Sequence, residues 1–321
     1  MITLVVTSPL SGAGKTAICA GIAKRRQDQG KKVGYLRPVI GVSDTNGDAV
    51  FMKEMLSLSE TVESISPSFK DEQMLIDKIK STVDSFSSGK DVMIVESQTS
   101  SITKILNARL LNVVTYAEYS ALNSQLPVSV IGSFESLNSD VIINKVPVNR
   151  MDIVRKSLKS SKNIIAIIPE DRALLTFSVG DLASAIDGKI INSSDKSDNL
   201  LENFMLGAMT VDSAVSYYSL MTNKVVVVRA DRPDMQGAAL QTSVRALLVT
   251  GTNPVIPIIQ DRAQSKNVPI IQTGLDCSTV ANRIEETLVK IRFHQKNKMP
   301  RLLDLLQRNF DDVALHHVLG L

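Results

Sequence analysis

Residues 2–16 read ITLVVTSPLSGAGKT, and the reading of this stretch decides the fold. ITLVVT (2–7) is short, apolar and β-branched, the mark of a strand buried on both faces. SPLSGAG is a loop, and from Lys15 the apolar residues Ala17, Ile18, Gly21 and Ile22 recur at helical spacing, with Gly30 placed to stop the helix. A glycine-rich loop between a strand and a helix offers backbone N–H groups and the positive helix end to a phosphate. Gly12 and Gly14, with Ala13 between them in the loop, let the backbone approach without Cβ clashes, Lys15 reaches the outer phosphates and the Thr16 hydroxyl can ligate Mg²⁺. The match to GxxxxGK[ST] is imperfect, since Pro9 stands where the first glycine belongs. Three residues, GKT, are a weak signal alone, and a plain strand–helix turn is the competing reading. Their place after the first strand and at the first helix is what gives them weight.

Outward from this loop, strand-like runs occur at 33–36, 92–95, 128–131, 141–143 and 164–168, with helix-like stretches between several of them. The alternation predicts an α/β fold, a P-loop domain built on a parallel sheet. NSSDKSDN (192–199) is polar and aperiodic and reads as a linker. The first domain is therefore expected over 1–195, followed by a smaller α/β domain over 200–321. In the second, a helix is expected over 206–220, strands at 225–228, 246–249 and 268–271, and a short helix at 237–242. Another helix should open at Pro254 and a last one run from Ser278 to about Lys290. The tail, 297–321, has helical spacing in Leu302, Leu303, Leu305, Leu306 and Phe310 and is expected to dock on a domain or a second subunit.

Bulk properties exclude several classes of function. The 321 residues suffice for two ordinary domains, and 44% hydrophobic with 21% charged residues is usual for a globular protein. Aromatic residues make up 4% and tryptophan is absent, which leaves no stacking platform for single-stranded nucleic acid. A balance of 36 basic and 33 acidic residues gives no nucleic-acid footprint. The basic clusters at 24–26 and 31–32 read as a helix end complementing its dipole. Cys19 and Cys277 set no disulfide or metal spacing, and neither do His294, His316 and His317. No apolar run has membrane-spanning length and the first residues lack a secretory pattern, so a reduced cytoplasmic protein without membrane partners is expected.

Carboxylates for a metal are available. Glu96 ends the strand-like VMIVE, as a magnesium-binding acid should at the C-terminal edge of a parallel sheet, and Asp48 lies in NGDAV. Each alone reads equally as a solvated acid or a helix cap. In the second domain, Asp231 and Arg232 follow VVVV, while Thr250 and Gly251 end the next strand. These four could meet at one sheet edge as a ligand site, or Asp231 and Arg232 could simply pair across the turn.

SPLSGAGKT, LRPV (36–39), NGDAV (46–50), IVES (94–97), VIINKVP (141–147) and IAIIPEDRALL (165–175) together resemble the dethiobiotin synthetase-like P-loop family over nearly all of residues 1–190. LGAMTVDSAVSYY (206–218), Asp231-Arg232, LLVTGTNP (247–254) and NVPIIQT (267–273) resemble the DRTGG domain, with Thr252 at the final glycine of the name motif. The two in this order resemble the N-terminal regulatory half of long phosphotransacetylases. The resemblance implies phosphate contacts from Gly12 to Thr16, magnesium at Thr16, Asp48 and Glu96, adenine read by Asn144, and a homodimer. By itself, Asn144 reads as a strand-end turn residue.

Three departures bear on chemistry. Arg37 replaces the synthetases' substrate-holding lysine, Ser97-Gln98-Thr99-Ser100 replaces their glycine-rich turn after the acid, and the first loop glycine is missing. They argue against dethiobiotin synthesis, and the acetyltransferase part is not present in this sequence. The expectation is a regulatory protein binding ATP and Mg²⁺, with slow or partner-dependent hydrolysis and a small-molecule effector on the DRTGG-type domain. One alternative is an ATP-dependent ligase or amidotransferase-like enzyme in which Arg37 grips a carboxylate. The other is a scaffold whose P-loop has decayed.

Overall fold

A computed structural model describes residues 1–41, 47–125, 139–158, 163–290, 293 and 296–310. The expected strand at 128–131, Asn46 of NGDAV, and His294, His316 and His317 lie outside them. The chain divides into two compact units, Met1–Asp171 with Arg292–Leu321, and Arg172–Ile291.

In the first unit, β1 (Ile2–Thr7), β2 (Val33–Leu36), β5 (Val92–Glu96), β6 (Arg109–Thr115), β7 (Asp140–Val146) and β8 (Ile164–Pro169) form one sheet in the order β2-β5-β1-β6-β7-β8. All its pairings are parallel. Two short strands, β3 (Val39–Ile40) and β4 (Ser68–Phe69), pair apart from it. Burial of central strands on both faces explains their unbroken apolar runs, Leu4, Val5 and Val6 in β1 and Val92–Val95 in β5. β6 was not legible as a strand, because Asn112 interrupts its apolar pattern. That side chain is buried and donates to the Ser139 hydroxyl at 3.0 Å. From β1 the chain passes to β2 on one side of the sheet and later to β6, β7 and β8 on the other. The C-terminal end of β1 is thus the crevice where open α/β sheets take ligands.

The tail belongs to this unit, which corrects its expected place in the second domain. The helix Met299–Asn309 buries Met299, Leu302 and Leu306 against the helix α1 (Lys15–Asp28) and β8, and Phe310 bridges Ala166. Gly21 makes this possible, since a Cβ there would lie 2.0 Å from Leu306 Cδ1. Leu306→Ala is expected to cost roughly 2–4 kcal/mol in urea unfolding, the range for a leucine cavity in a packed core. A change within error would show the tail helix to be undocked in solution.

The second unit has β10 (Lys189–Ile190), β12 (Asn203–Leu206), β13 (Lys224–Arg229), β14 (Val244–Thr250) and β15 (Ile270–Thr273) in the order β10-β15-β14-β13-β12. β12 to β15 are parallel neighbours in chain order, so right-handed crossovers put their connecting helices on one face. There Val226, Val228, Leu247 and Val249 pack with Ala214, Met235 and Ile259 of the helices Val211–Tyr218, Pro233–Ala239 and Pro257–Ser265. Val225, Val227, Ala246 and Leu248 face the helices Val179–Ala185 and Cys277–Lys290.

This second core moves the expected boundary from 195 back to 171. Phe177, Val179, Leu182 and Ile186 bury against β13 and β14, β10 pairs with β15, and β9 (Phe177–Ser178) pairs with β11 (Leu200–Leu201). The polar stretch 192–199 is consequently a loop within the unit, held by Asn192, which accepts from Ile270 N and donates to Val268 O. The expected helix over 206–220 is shorter, Val211–Tyr218, because 203–206 form β12. The helix expected at Pro254 begins at Pro257, with Val255 buried in the core ahead of it.

Candidate functional site

The loop after β1 carries two glycines in the left-handed region, Gly12 at φ +77° and Gly14 at φ +95°, a conformation that β-carbons disfavour. Gly14 caps α1, so the first N–H groups of the helix, which have no intrahelical acceptor, open onto the loop. Pro9 and Leu10 are exposed, while Ser8 is buried and its hydroxyl donates to Leu10 O at 2.9 Å. The departure at Pro9 therefore falls on the outer bend and leaves the cradle from Gly12 to Thr16 intact.

β7 braces this cradle. Asn144 Nδ2 donates to Ala13 O at 2.8 Å, and Asn144 Oδ1 accepts from Lys145 N at 2.9 Å. A Cβ on Gly14 would stand 2.5 Å from Asn144 Nδ2. The geometry therefore makes Asn144 a buttress of the loop, a role separate from the adenine contact that the resemblance implied. Lys145, at φ +58°, places its Nζ 2.8 Å from Gly12 O. Sequence reasoning missed Lys145 as a loop partner, although it lies inside the quoted VIINKVP, since a left-handed lysine leaves no local pattern.

Behind the loop lies a buried polar cluster. Thr16 Oγ1 donates to Glu96 Oε1 at 3.0 Å, and the Tyr35 hydroxyl donates to Glu96 Oε2 at 2.7 Å. Arg37 Nη2 is 3.2 Å from Asp48 Oδ2, and its Nε is 3.9 Å from Glu96 Oε1. β5 places Glu96 beside Val6 of β1, β2 carries Tyr35 and leads into Arg37, and Asp48 stands in the first turn of the helix α2 (Gly47–Leu56), where an acid suits the dipole. Burial pushes the Glu96 carboxyl up from its ordinary value, aided by Asp48 and opposed by the Tyr35 hydroxyl, Arg37 and Lys15. Burial first, and then the charge of Glu96, push the Tyr35 hydroxyl and the Cys19 thiol well up, so Cys19 stays protonated and unreactive. Tyr35 was also missed, and its signal was a lone phenol in the apolar run VGYL.

Thr16, Asp48, Glu96 and Arg37, named from the sequence, thus come together around one point. As a magnesium site, however, the cluster does not fit in this arrangement. The Arg37 guanidinium faces Asp48 and lies near Glu96, where a hard cation would need open oxygen ligands. Arg37 is likewise held away from the free, substrate-gripping role expected for a ligase.

In the second unit, β13 and β14 end side by side, with Arg229 paired to Thr250 and Ala230 N donating to Thr250 O at 2.8 Å. Asp231, Arg232, Thr250 and Gly251 therefore share one sheet edge. Their side chains are largely engaged within the unit. Arg229 pairs with Asp231, Arg232 Nη2 lies 2.8 Å from Asp234 Oδ2, and the buried Thr250 hydroxyl meets Cys277 Sγ at 3.1 Å. Thr250 is consequently a packing residue, whereas Arg232 and Asp231 stay partly exposed. Gly251 takes φ +100°, and its N–H reaches Thr273 O and Leu275 O. Nearby, the hydroxyl of Tyr218 and Oε1 of Gln236 are buried without hydrogen-bond partners among the described residues.

Fold and loop geometry define a P-loop-like α/β unit, and a second α/β unit follows it. Residues 2–84 match the family model described as an AAA domain, and residues 181–287 match that of the DRTGG domain. The chain is similar to the phosphate acetyltransferase of Deinococcus radiodurans, 23% identical over 362 residues, covering 98% of this chain and 51% of that protein. It thus spans about half the length of this curated relative. Among solved structures, it is similar to the CBS and DRTGG domains of the regulatory region of Clostridium perfringens pyrophosphatase, complexed there with its activator diadenosine tetraphosphate. That match has 16% identity and a TM-score of 0.32, over 46% of this chain and 71% of that one. The MinC:MinD cell division protein complex of Aquifex aeolicus gives 24% identity and a TM-score of 0.38, over 55% of this chain and 84% of that one. No helix among the described residues is long and apolar enough to cross a membrane.

Proposed function

We propose that the first unit binds the phosphates of ATP and that the chain is a nucleotide-responsive regulatory protein, akin to the N-terminal part of phosphotransacetylases. The observation that carries this reading is the cradle of left-handed Gly12 and Gly14 between β1 and α1, braced by Asn144 and followed by Lys15. Two positive-φ glycines and a buried asparagine buttress support a working phosphate loop over the decayed scaffold. Magnesium has no part in this reading, because Arg37 already faces both acids. A small-molecule effector binds at the β13–β14 edge, where Asp231, Arg232 and the turn at Gly251 converge, and the chain works as a homodimer in the cytoplasm. Hydrolysis is slow, since Ser97-Gln98-Thr99-Ser100 follows Glu96 where the synthetases frame a substrate with glycines.

The test is a calorimetric titration with ATP of the wild type beside Lys15→Ala. Lys15 is expected to supply one charged contact to the phosphates, so the variant should bind at least about tenfold more weakly. Equal affinity of the two proteins, or no heat with millimolar ATP in the wild type, would refute the nucleotide site.

A further inference from the structure

We infer that Arg37 is a built-in counter-cation of the phosphate site, so that this P-loop takes a nucleotide's phosphates without a divalent metal. The inference deepens the nucleotide reading above and rests on it.

The position of Arg37 is fixed by its backbone. Its N–H donates to Ile65 O at 2.8 Å, and its carbonyl accepts from the Ser66 hydroxyl at 3.1 Å. The side chain is 16% exposed and lies between two acids that are nearly fully buried, Asp48 and Glu96. The guanidinium therefore stands where a cation bridging Thr16, Asp48 and Glu96 would be required. Like a divalent ion, it places positive charge between the two acids, but one unit of it, carried by a planar donor on a covalent stem.

Charge and valence point the same way. Lys15 and Arg37 together match the charge of Asp48 and Glu96, so these side chains by themselves hold no net negative charge for a divalent cation. A metal entering between Asp48 and Glu96 would meet the Arg37 guanidinium at short range. Arg37 also retains a donor, Nη1, which is buried and has no hydrogen-bond partner among the described residues. Buried donors are rarely left unmade, and a phosphate oxygen is the acceptor that a guanidinium fork matches best. One edge of Arg37 thus holds Asp48, and its remaining N–H serves the phosphate oxyanions next to Lys15.

The experiment is a titration of the full chain with ATP, once in EDTA and once with millimolar Mg²⁺, for the wild type and Arg37→Gln. The wild type should bind with affinities within about threefold of each other in the two buffers. Arg37→Gln should lose at least about tenfold in EDTA, the equivalent of one charge-assisted hydrogen bond, and should recover part of it in Mg²⁺. Wild-type binding that collapses in EDTA would overturn the counter-cation role while leaving the nucleotide reading intact. Unchanged EDTA affinity in Arg37→Gln would do the same. An absence of ATP binding in both buffers would remove the nucleotide reading and this inference with it. A melting curve checks that Arg37→Gln is folded. If it is not, the wild-type comparison between the two buffers decides alone.

Discussion

Gly14→Ala is expected to abolish ATP binding and to destabilise the first unit by roughly 2–4 kcal/mol, combining backbone strain with overpacking. Two effects add at this residue. An alanine at φ +95° must hold a left-handed backbone, costing about 1–2 kcal/mol. Its methyl carbon would also stand 2.5 Å from Asn144 Nδ2, so either the loop moves or Asn144 gives up the Ala13 carbonyl. Gly12 is the internal control. It has φ +77° but nothing within 4 Å of a built Cβ, so Gly12→Ala should show the strain alone, about 1 kcal/mol. Urea unfolding of both variants separates the two contributions. Equal losses would mean that Asn144 does not brace the loop. A double variant, Gly14→Ala with Asn144→Ser, should regain part of the stability, since the two substitutions share one contact.

The second large effect is expected at Glu96. Glu96→Ala removes the acceptor of Thr16 and of the buried Tyr35 hydroxyl and leaves Arg37 with Asp48 as its remaining acidic partner. Breaking a buried charged network in this way costs about 3–5 kcal/mol, and Glu96→Gln, which keeps the shape, should cost less. Acid–base behaviour supplies an independent reading. The folded-state pKa of Glu96 is raised above its ordinary 4.5, mainly by burial. The native state therefore binds more protons than the unfolded chain above pH 4.5. The stabilisation that comes with this proton is fully present below that pH and is lost as pH rises through the raised folded value. Glu96→Gln should flatten this part of the stability–pH curve. A curve identical to the wild type's would show that Glu96 is not buried as an acid.

Much of the fold was legible because it rests on local pattern. Val92–Val95 and Val225–Val228 are apolar at every position, so each reads as a strand buried on both faces without knowledge of its neighbours. SGAGKT was readable as a phosphate cradle, since glycine, lysine and threonine each have a distinct role at that spacing. Misplaced features depended on partners distant in sequence. Residues 172–190 look like the end of one α/β unit, and only the contact of Phe177 and Leu182 with Val225 and Leu248 assigns them to the other. Likewise, the apolar stripe of the tail announced a docking helix but not its seat beside Gly21.

By itself, then, the sequence determined the succession of strands and helices, the phosphate loop and the acids near it, because hydrophobic periodicity and glycine's φ freedom act within a few residues. Tertiary structure alone decided that Asn144 supports the loop and that Arg37 lies between Asp48 and Glu96. Those roles are set by which hydrogen-bond donors and charges, 11 to 131 residues apart in the chain, are buried within reach of one another.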